Sequence, residues 1–249
     1  MKVLIDIGNT IIAIGLSRTG ENIDKIYRIN TEKNKSADEY TLILNGFINE
    51  CDEAIISSVV PELNEVFRDY FLNRFAIDAL FVGTGVKTGI KINSDNPKEV
   101  GADLIGNSVA ATSLYGETCL IIDLGTATTF SYLENKILKG VVIATGLTTS
   151  KNALVSQTSL LPQVELQAPK KVLGTNSVDC IKSGLVFGHA SMIDGLIKRI
   201  KEETNHPDLK VIITGGHAKI IFPYCQEELI KDEVLILKGL LLILKKNKR

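Results

Sequence analysis

The chain has 249 residues, of which 45% are hydrophobic and 23% are charged, and its formal net charge is -1. This composition is typical of a globular protein with a sizeable core and excludes extensive disorder. The near-zero net charge gives no electrostatic basis for binding nucleic acid or an acidic membrane surface, so neither partner is expected.

Cysteine spacing and the apolar ends of the sequence bear on the compartment. Four cysteines lie far apart along the chain: Cys51, Cys119, Cys180 and Cys225. None of the spacings is zinc-like or redox-like, which favours reduced thiols in a reducing cytosol. The apolar run within residues 1–6 is too short for a signal peptide, and the run at 240–244 cannot span a bilayer. We therefore expect a cytoplasmic protein.

An internal repeat is the strongest organisational signal. Residues 3–10 read like residues 120–127: each is an apolar strand followed by Asp, an apolar residue, Gly and small residues. A second strand-like run follows each copy, at 11–16 and at 128–133, so the sequence predicts two hairpins with the same turn chemistry. The copies lie about half a chain apart, which indicates two domains related by duplication.

Helical and strand patterns alternate along the rest of the chain. Helices are predicted at 37–49, from Pro61 onward, from 97 to about 115, and at 177–203; strands are predicted at 54–58, 79–82 and 210–214. The third helix is predicted to start with Asn96 as its cap, Pro97 in the first turn and Glu99 at the third position. The alternation predicts an α/β fold, whose two domains we place at 1–115 and 116–249.

Three glycine-containing loops carry the chemistry. In the first phosphate motif, Asp6-Ile7-Gly8-Asn9-Thr10, the glycine lets backbone N–H groups approach an anion, and Asp6 can hold a hydrated magnesium ion. Taken alone, the same residues also suit an ordinary hairpin turn. The second phosphate motif, residues 123–129, repeats the Asp and Gly with a run of hydroxyls, and the Thr-Gly-Gly loop, residues 214–218, allows close backbone approach to a ring or sugar.

In this order the three loops resemble those of the acetate-kinase, sugar-kinase, chaperone and actin superfamily. The details are similar to type III pantothenate kinases over nearly the whole chain. The matching segments include residues 6–10, 57–61, 95–103, 123–130, 176–184, 214–216 and 238–240. The resemblance implies two duplicated ribonuclease-H-like (actin-like ATPase) domains with a cleft between them. It also implies ATP-dependent phosphorylation of pantothenate, the first step of coenzyme A biosynthesis.

The resemblance also implies roles for particular residues. Asp103 would be the general base, Asp123 would hold a monovalent cation (potassium or ammonium), and Ser177 would contact substrate across a homodimer interface. The residues implied to contact ATP are Asp6, Ile7, Gly8, Asn9, Thr10, Ile11, Ile12, Ala13 and Thr126. Those implied to contact the small-molecule substrate are Ser94, Gly101, Ala102, Asp103, Leu104 and Ser177. From the residues alone, an Asp early in a helix also has a purely structural explanation, because it interacts favourably with the helix dipole.

Several positions depart from the family pattern. Leu104 stands where the family usually has Arg, Ser94 where it has Tyr, and Thr145 where it has Pro. A leucine supplies no bidentate donor for an anionic or carbonyl-rich substrate. Two alternatives to a pantothenate kinase therefore stay open: a nucleotide-binding regulatory homologue with weakened catalysis, and a kinase for another small alcohol.

Overall fold

The computed structural model describes residues 1–248, apart from the side chain of Lys98. The strands are β1 (Lys2–Ile7), β2 (Ile11–Ser17), β3 (Lys25–Asn30), β4 (Glu53–Ser58), β5 (Leu80–Phe81), β6 (Lys91–Ile92), β7 (Cys119–Leu124), β8 (Ala127–Glu134), β9 (Ile137–Thr145), β10 (Lys210–Thr214) and β11 (Ile230–Lys231). The α-helices are α1 (Ala37–Leu44), α2 (Asn64–Phe75), α3 (Ala102–Leu114), α4 (Leu147–Ser156), α5 (Ser177–Thr204), α6 (Ala218–Ile221) and α7 (Leu235–Lys246). Short 3₁₀ helices lie at Pro61–Leu63, Pro97–Glu99 and Phe222–Tyr224.

The chain packs into two compact units. The first contains Met1–Leu114, Lys136–Leu138 and the chain from Val234 onward, and the second contains Tyr115–Asn135 and Lys139–Glu233. The N-terminal segment of the first unit ends at Leu114. Helix α7, which the sequence division grouped with the second domain, packs instead in the first unit. As a functional division, 1–115 and 116–249 stays a prediction.

The first unit is built on a five-stranded sheet of order β3-β2-β1-β4-β5. Strands β1 and β2 form the first predicted antiparallel hairpin, and β1 and β4 run parallel. One face of the sheet packs against α1 and α2 through buried side chains such as Tyr40, Phe67 and Phe71. The opposite face packs against α3 and α7, with Val109 and Leu240 among the buried residues. These two layers bury the apolar stripe of each helix.

Helices α3 and α7 touch through their backbones. A Cβ added to Gly239 would lie 1.9 Å from the carbonyl oxygen of Gly106, so only a residue without a side chain fits at this crossing. A Cβ on Gly106 would in turn meet the Ile236 side chain at 2.4 Å. This contact fixes α3, and hence its first turn, against the sheet.

The second unit contains β11, β10, β7, β8 and most of β9, which are neighbours in that order in one sheet. Strands β7 and β8 form the second predicted antiparallel hairpin, with Asp123 opposite Thr129. Strand β10 runs parallel to β7 and places Thr214 beside Asp123. The long helix α5 packs on this sheet through residues such as Leu185 and Ile193. Its span agrees with the predicted helix at 177–203.

Two helix predictions need correction. The predicted helix at 37–49 ends at Leu44 because Asn45 and Gly46 form a turn in which the Gly46 amide donates to the Ile43 carbonyl. Asn96 does not cap α3: residues Pro97–Glu99 form a separate 3₁₀ turn, and Val100 is extended. The Asn96 amide donates to Glu99 Oε1 at 2.6 Å instead. Within residues 1–248, no helix combines the length and apolar character needed to cross a membrane.

Candidate active site

The first phosphate motif closes the β1–β2 hairpin. The Gly8 amide donates to the Ile11 carbonyl at 3.1 Å, and a Cβ on Gly8 would lie only 3.0 Å from that oxygen. Thr31 holds the loop from behind, because its Oγ1 donates to the Gly8 carbonyl at 2.6 Å and its amide donates to the Thr10 carbonyl at 2.9 Å. The loop is therefore shaped by the protein before any ligand arrives, with Asn9 and Thr10 exposed.

The residues implied to contact ATP differ in which of their groups a ligand could reach. The side chains of Ile7 and Ile12 lie fully buried in the core, so only their backbone groups remain for a ligand. Asp6 is half-buried and lies in register with Ser57 of the parallel neighbour β4. The Ser57 side-chain oxygen is buried without a hydrogen-bond partner in the part of the chain that the structure describes. Two oxygen-bearing side chains thus lie at neighbouring positions near the ends of β1 and β4.

Asp103 is the second residue of α3, and its carboxylate is tightly placed. Its Oδ1 accepts from the Leu104 amide at 2.8 Å, and a Cβ on Gly101 would come within 2.3 Å of the same oxygen. That Cβ would also lie 3.6 Å from Val59, whose amide donates to the Ile7 carbonyl at 3.0 Å. The carboxylate therefore lies at the end of the sheet that carries the first phosphate motif.

Burial raises the pKa of the Asp103 carboxyl, because removing it from water penalises the charged form. Hydrogen bonds from the backbone amides of Leu104 and Asp103 oppose this effect. A carboxyl with a raised pKa is a better proton acceptor once ionised, which is the property that a general base needs. Leu104 beside it is half-buried and supplies no side-chain donor.

The second phosphate motif and the Thr-Gly-Gly loop meet around Asp123. Gly215 has a φ of +94°, and a Cβ there would lie 2.4 Å from Asp123 Oδ1 and 2.5 Å from the Leu124 amide nitrogen. A left-handed backbone and this close approach both require glycine. This close approach is between parts of the chain itself, and the approach of the loop to a ring or sugar stays a prediction.

Helix α4 supports the second phosphate motif from its first turn. The Thr126 carbonyl accepts from the Gly146 amide at 3.2 Å and from Thr149 Oγ1 at 2.8 Å. A Cβ on Gly146 would lie 2.3 Å from that carbonyl oxygen. Thr126 itself is exposed. The start of α4 therefore binds the loop through the Thr126 carbonyl.

Ser94 and Ser177 occupy separate places. Ser94 is exposed between β6 and the Pro97–Glu99 turn, and Ser177 is the exposed first residue of α5, after the cap Asn176. Their substrate contacts stay predictions.

Sequence reasoning missed the residues that support the loops. Thr31, Thr148 and Thr149 carry no motif of their own, and only the neighbouring glycines could have pointed to them. Among the described residues, no group of three or more His, Cys, Asp or Glu side chains could hold a metal ion.

Two sheets, each opened by an Asp- and Gly-containing hairpin, define the actin-like ATPase class, and solved structures share this fold. A conserved Campylobacter jejuni protein, provisionally described as a Baf-family transcriptional activator, gives a TM-score of 0.63 at 21% identity, with 98% of each chain covered. The activator of 2-hydroxyisocaproyl-CoA dehydratase from Clostridium difficile, with bound ADPNP, gives 0.56 at 15% identity, covering 98% of this chain and 94% of that one.

Sequence comparison narrows the class to one family. The pattern of the family described as type III pantothenate kinase matches residues 2–199. A type III pantothenate kinase of Acholeplasma laidlawii is 44% identical, over 99% of both chains. One of Halalkalibacterium halodurans is 40% identical, over 99% of this chain and 100% of that protein. The chain belongs to the type III pantothenate kinase family.

Proposed function

We propose that this protein transfers the γ-phosphoryl group of ATP to the primary hydroxyl of pantothenate, the first step of coenzyme A biosynthesis. Membership of the type III pantothenate kinase family supports this activity. The observation that carries it is the Asp103 carboxylate, held at the start of α3 at the end of the sheet that carries the first phosphate motif. The relatives are named as kinases, so the regulatory alternative is not favoured.

In this proposal Asp103 accepts the proton of the substrate hydroxyl. The hydroxyl oxygen then forms a bond to the γ-phosphorus, and the bond from that phosphorus to the β–γ bridging oxygen breaks, releasing ADP. Positioning and charge stabilisation supply most of the catalysis in phosphoryl transfer. Gly101 and Leu104 fix the carboxylate, while Ala102 is buried and places α3. Ser94 and Ser177 are the proposed further substrate contacts.

The two phosphate motifs are the proposed ATP contacts. In the first unit these are the backbone of 6–13 and the side chains of Asn9 and Thr10. In the second unit the contact is Thr126, whose carbonyl is already held by α4. Backbone amides in such tight turns bind phosphate oxygens without the cost of displacing a side chain.

The proposed cation sites fit the residues present. Asp123 is half-buried beside Gly215, and a Cβ on that glycine would lie 2.4 Å from its carboxylate, so the carboxylate is the proposed oxygen ligand of the monovalent cation. This suits potassium or ammonium, which would offset phosphate charge. Asp6 with the buried Ser57 hydroxyl offers the oxygen donors that magnesium prefers.

A homodimer is the proposed assembly. Apolar side chains that shortly precede Ser177 in the chain are exposed: Leu173 is 85% and Val172 is 63% accessible. Clustered exposed apolar residues mark surfaces that a partner covers. Sedimentation of the wild type should therefore show a dimer, and Leu173→Asp should shift it towards monomer. A monomeric wild type would contradict the assembly.

Asp103→Asn tests the proposed base. The amide cannot accept the proton, so turnover in a coupled ADP-release assay with pantothenate should fall by about two to four orders of magnitude. Asp38→Asn is the matched control. Asp38 is the second residue of α1, the helix position that Asp103 has in α3, but it is exposed. Near-normal turnover by Asp103→Asn would remove Asp103 from the mechanism.

The same variant should fold. Burial raises the pKa of Asp103, so ionisation of this carboxyl destabilises the folded state when the pH is above that raised pKa. The loss of stability is about 1.4 kcal/mol for each tenfold decrease in the acid dissociation constant. Asp103→Asn should therefore be at least as stable as wild type near neutral pH. The difference should disappear as the pH falls through the raised pKa towards the ordinary value of an aspartic acid.

A further inference from the structure

His217, the residue after the two glycines of the Thr-Gly-Gly loop, is not part of the implied site. Its backbone amide donates to the Leu124 carbonyl at 3.2 Å. Its ring Nε2 lies 3.2 Å from Thr148 Oγ1, in the first turn of α4. The ring thus lies between the second phosphate motif and α4, all within the second unit.

The His217 ring also lies close to two carbonyl groups of the phosphate motif. The carbonyl groups of Leu124 and Gly125 lie beside the ring and favour its charged form, yet burial lowers the pKa of His217 overall. Within residues 1–248, Nδ1 is buried and makes no hydrogen bond of normal geometry. A neutral ring whose Nε2 accepts from the Thr148 hydroxyl carries its proton on Nδ1.

The charged neighbours also favour the neutral ring. Lys151 on α4 and Lys219 on α6 both lower the pKa of His217. His189 on α5 lies close enough for His217 to lower its pKa in turn, and its Nε2 is 2.9 Å from Thr128 Oγ1. A positive charge on the His217 ring would be repelled by these two lysines.

Three successive carbonyls, those of residues 124–126, therefore have neighbours in His217 or at the start of α4. His217 lies against those of Leu124 and Gly125, and the start of α4 binds that of Thr126. Each carbonyl shares a rigid peptide plane with the next residue's amide, so fixing the carbonyls also fixes the directions of the Thr126 and Ala127 amides. These amides are the groups that such a loop turns towards a phosphate.

Resting on the proposed function, we propose that His217 is a positioning residue of the nucleotide site, which with Thr148 holds the second phosphate motif in its ATP-binding shape. It does not touch the reacting atoms. Its loss should weaken ATP binding and leave the acceptor side unchanged. His217→Gln places an amide group near the position of Nε2, which can accept from the Thr148 hydroxyl, and should retain more ATP affinity than His217→Ala.

The test is calorimetric titration of the full-length protein with ATP in the absence of pantothenate. His217→Ala should raise the Kd for ATP about three- to tenfold, because it removes the hydrogen bond between the ring and Thr148. Thr148→Val should raise it too, and the double variant should be no worse than His217→Ala, because the two residues act as one unit. His206→Ala is the control, since that ring contacts Glu134 instead. Steady-state kinetics should show a raised KM for ATP with kcat and the KM for pantothenate nearly unchanged.

An ATP Kd within twofold of wild type in His217→Ala, additive effects of the two single variants, or an equal loss in His206→Ala would each overturn the proposal. If His217→Ala does not fold, His217→Gln and Thr148→Val carry the same comparison. A wild type that binds ATP but does not phosphorylate pantothenate would refute the proposed function alone. A wild type that binds no ATP would overturn both.

Discussion

Gly101→Ala is the perturbation that most directly probes how the proposed base is held. The new Cβ would lie 2.3 Å from Asp103 Oδ1 and 3.5 Å from its Cγ. The carboxylate must therefore rotate away, which costs about 0.5–1.5 kcal/mol for an off-rotamer side chain. It would also lose its hydrogen bond from the Leu104 amide, worth about 0.5–1.5 kcal/mol.

These two effects together set the loss of stability at about 1–3 kcal/mol, which lowers Tm by roughly 2–4 °C per kcal/mol in a chain of this size. Turnover should fall further, by about a hundredfold, because a catalytic group displaced by about 1 Å loses its alignment with the reacting hydroxyl. The KM for ATP should stay near that of wild type.

Coupled ADP-release kinetics and thermal unfolding measure both effects. Gly83→Ala is the matched control in the same unit, because a Cβ there would meet no atom within 4 Å. A Gly101→Ala enzyme with wild-type turnover would refute the placement of the carboxylate. Equal losses of stability and activity in Gly83→Ala would show that the effect is not specific to Asp103.

The remaining predictions concern the acceptor pocket, the cation and the helix crossing. Leu104→Arg should lower the KM for pantothenate about tenfold if the guanidinium reaches the substrate, since a hydrogen bond to a charged group contributes about 1.5–3 kcal/mol; an unchanged KM in an efficient wild type would show that this pocket does not use an arginine. Asp123→Ala should abolish a stimulation by potassium that the wild type shows, whereas equal wild-type rates in sodium and potassium would contradict the cation site. Gly239→Ala should lower the free energy of unfolding by at least about 1–3 kcal/mol, because its Cβ would lie 1.9 Å from the Gly106 carbonyl oxygen; an unchanged Tm would contradict this contact.

Local patterns predicted the elements that bear the site. The repeat of Asp, apolar residue and Gly predicted both hairpins, because an apolar strand followed by turn residues specifies its own partner strand. The glycines at 101 and 215 lie where the backbone or a carboxylate leaves no room for a side chain. The resemblance to type III pantothenate kinases, stated from the same motifs, is confirmed by the family match.

Packing between residues distant in sequence could not be predicted from local patterns. Asn96-Pro97 has the composition of a helix start, but the extended Val100 separates it from α3. Nothing in the local sequence of α7 shows that Gly239 packs on Gly106, more than a hundred residues earlier, and so places this helix in the first unit. Thr31 and His217 act through contacts with residues distant in sequence, which composition and spacing do not reveal.

The most direct test of the central claim is the rate of ADP release by the wild-type protein at saturating ATP, measured with a series of pantothenate concentrations and without pantothenate. The proposed function predicts saturable, pantothenate-dependent ADP release, with one phosphopantothenate formed per ADP. ATP binding without pantothenate-dependent ADP release would contradict it and favour a regulatory nucleotide-binding protein. Release that depends on a different small alcohol would instead identify another acceptor for the same site.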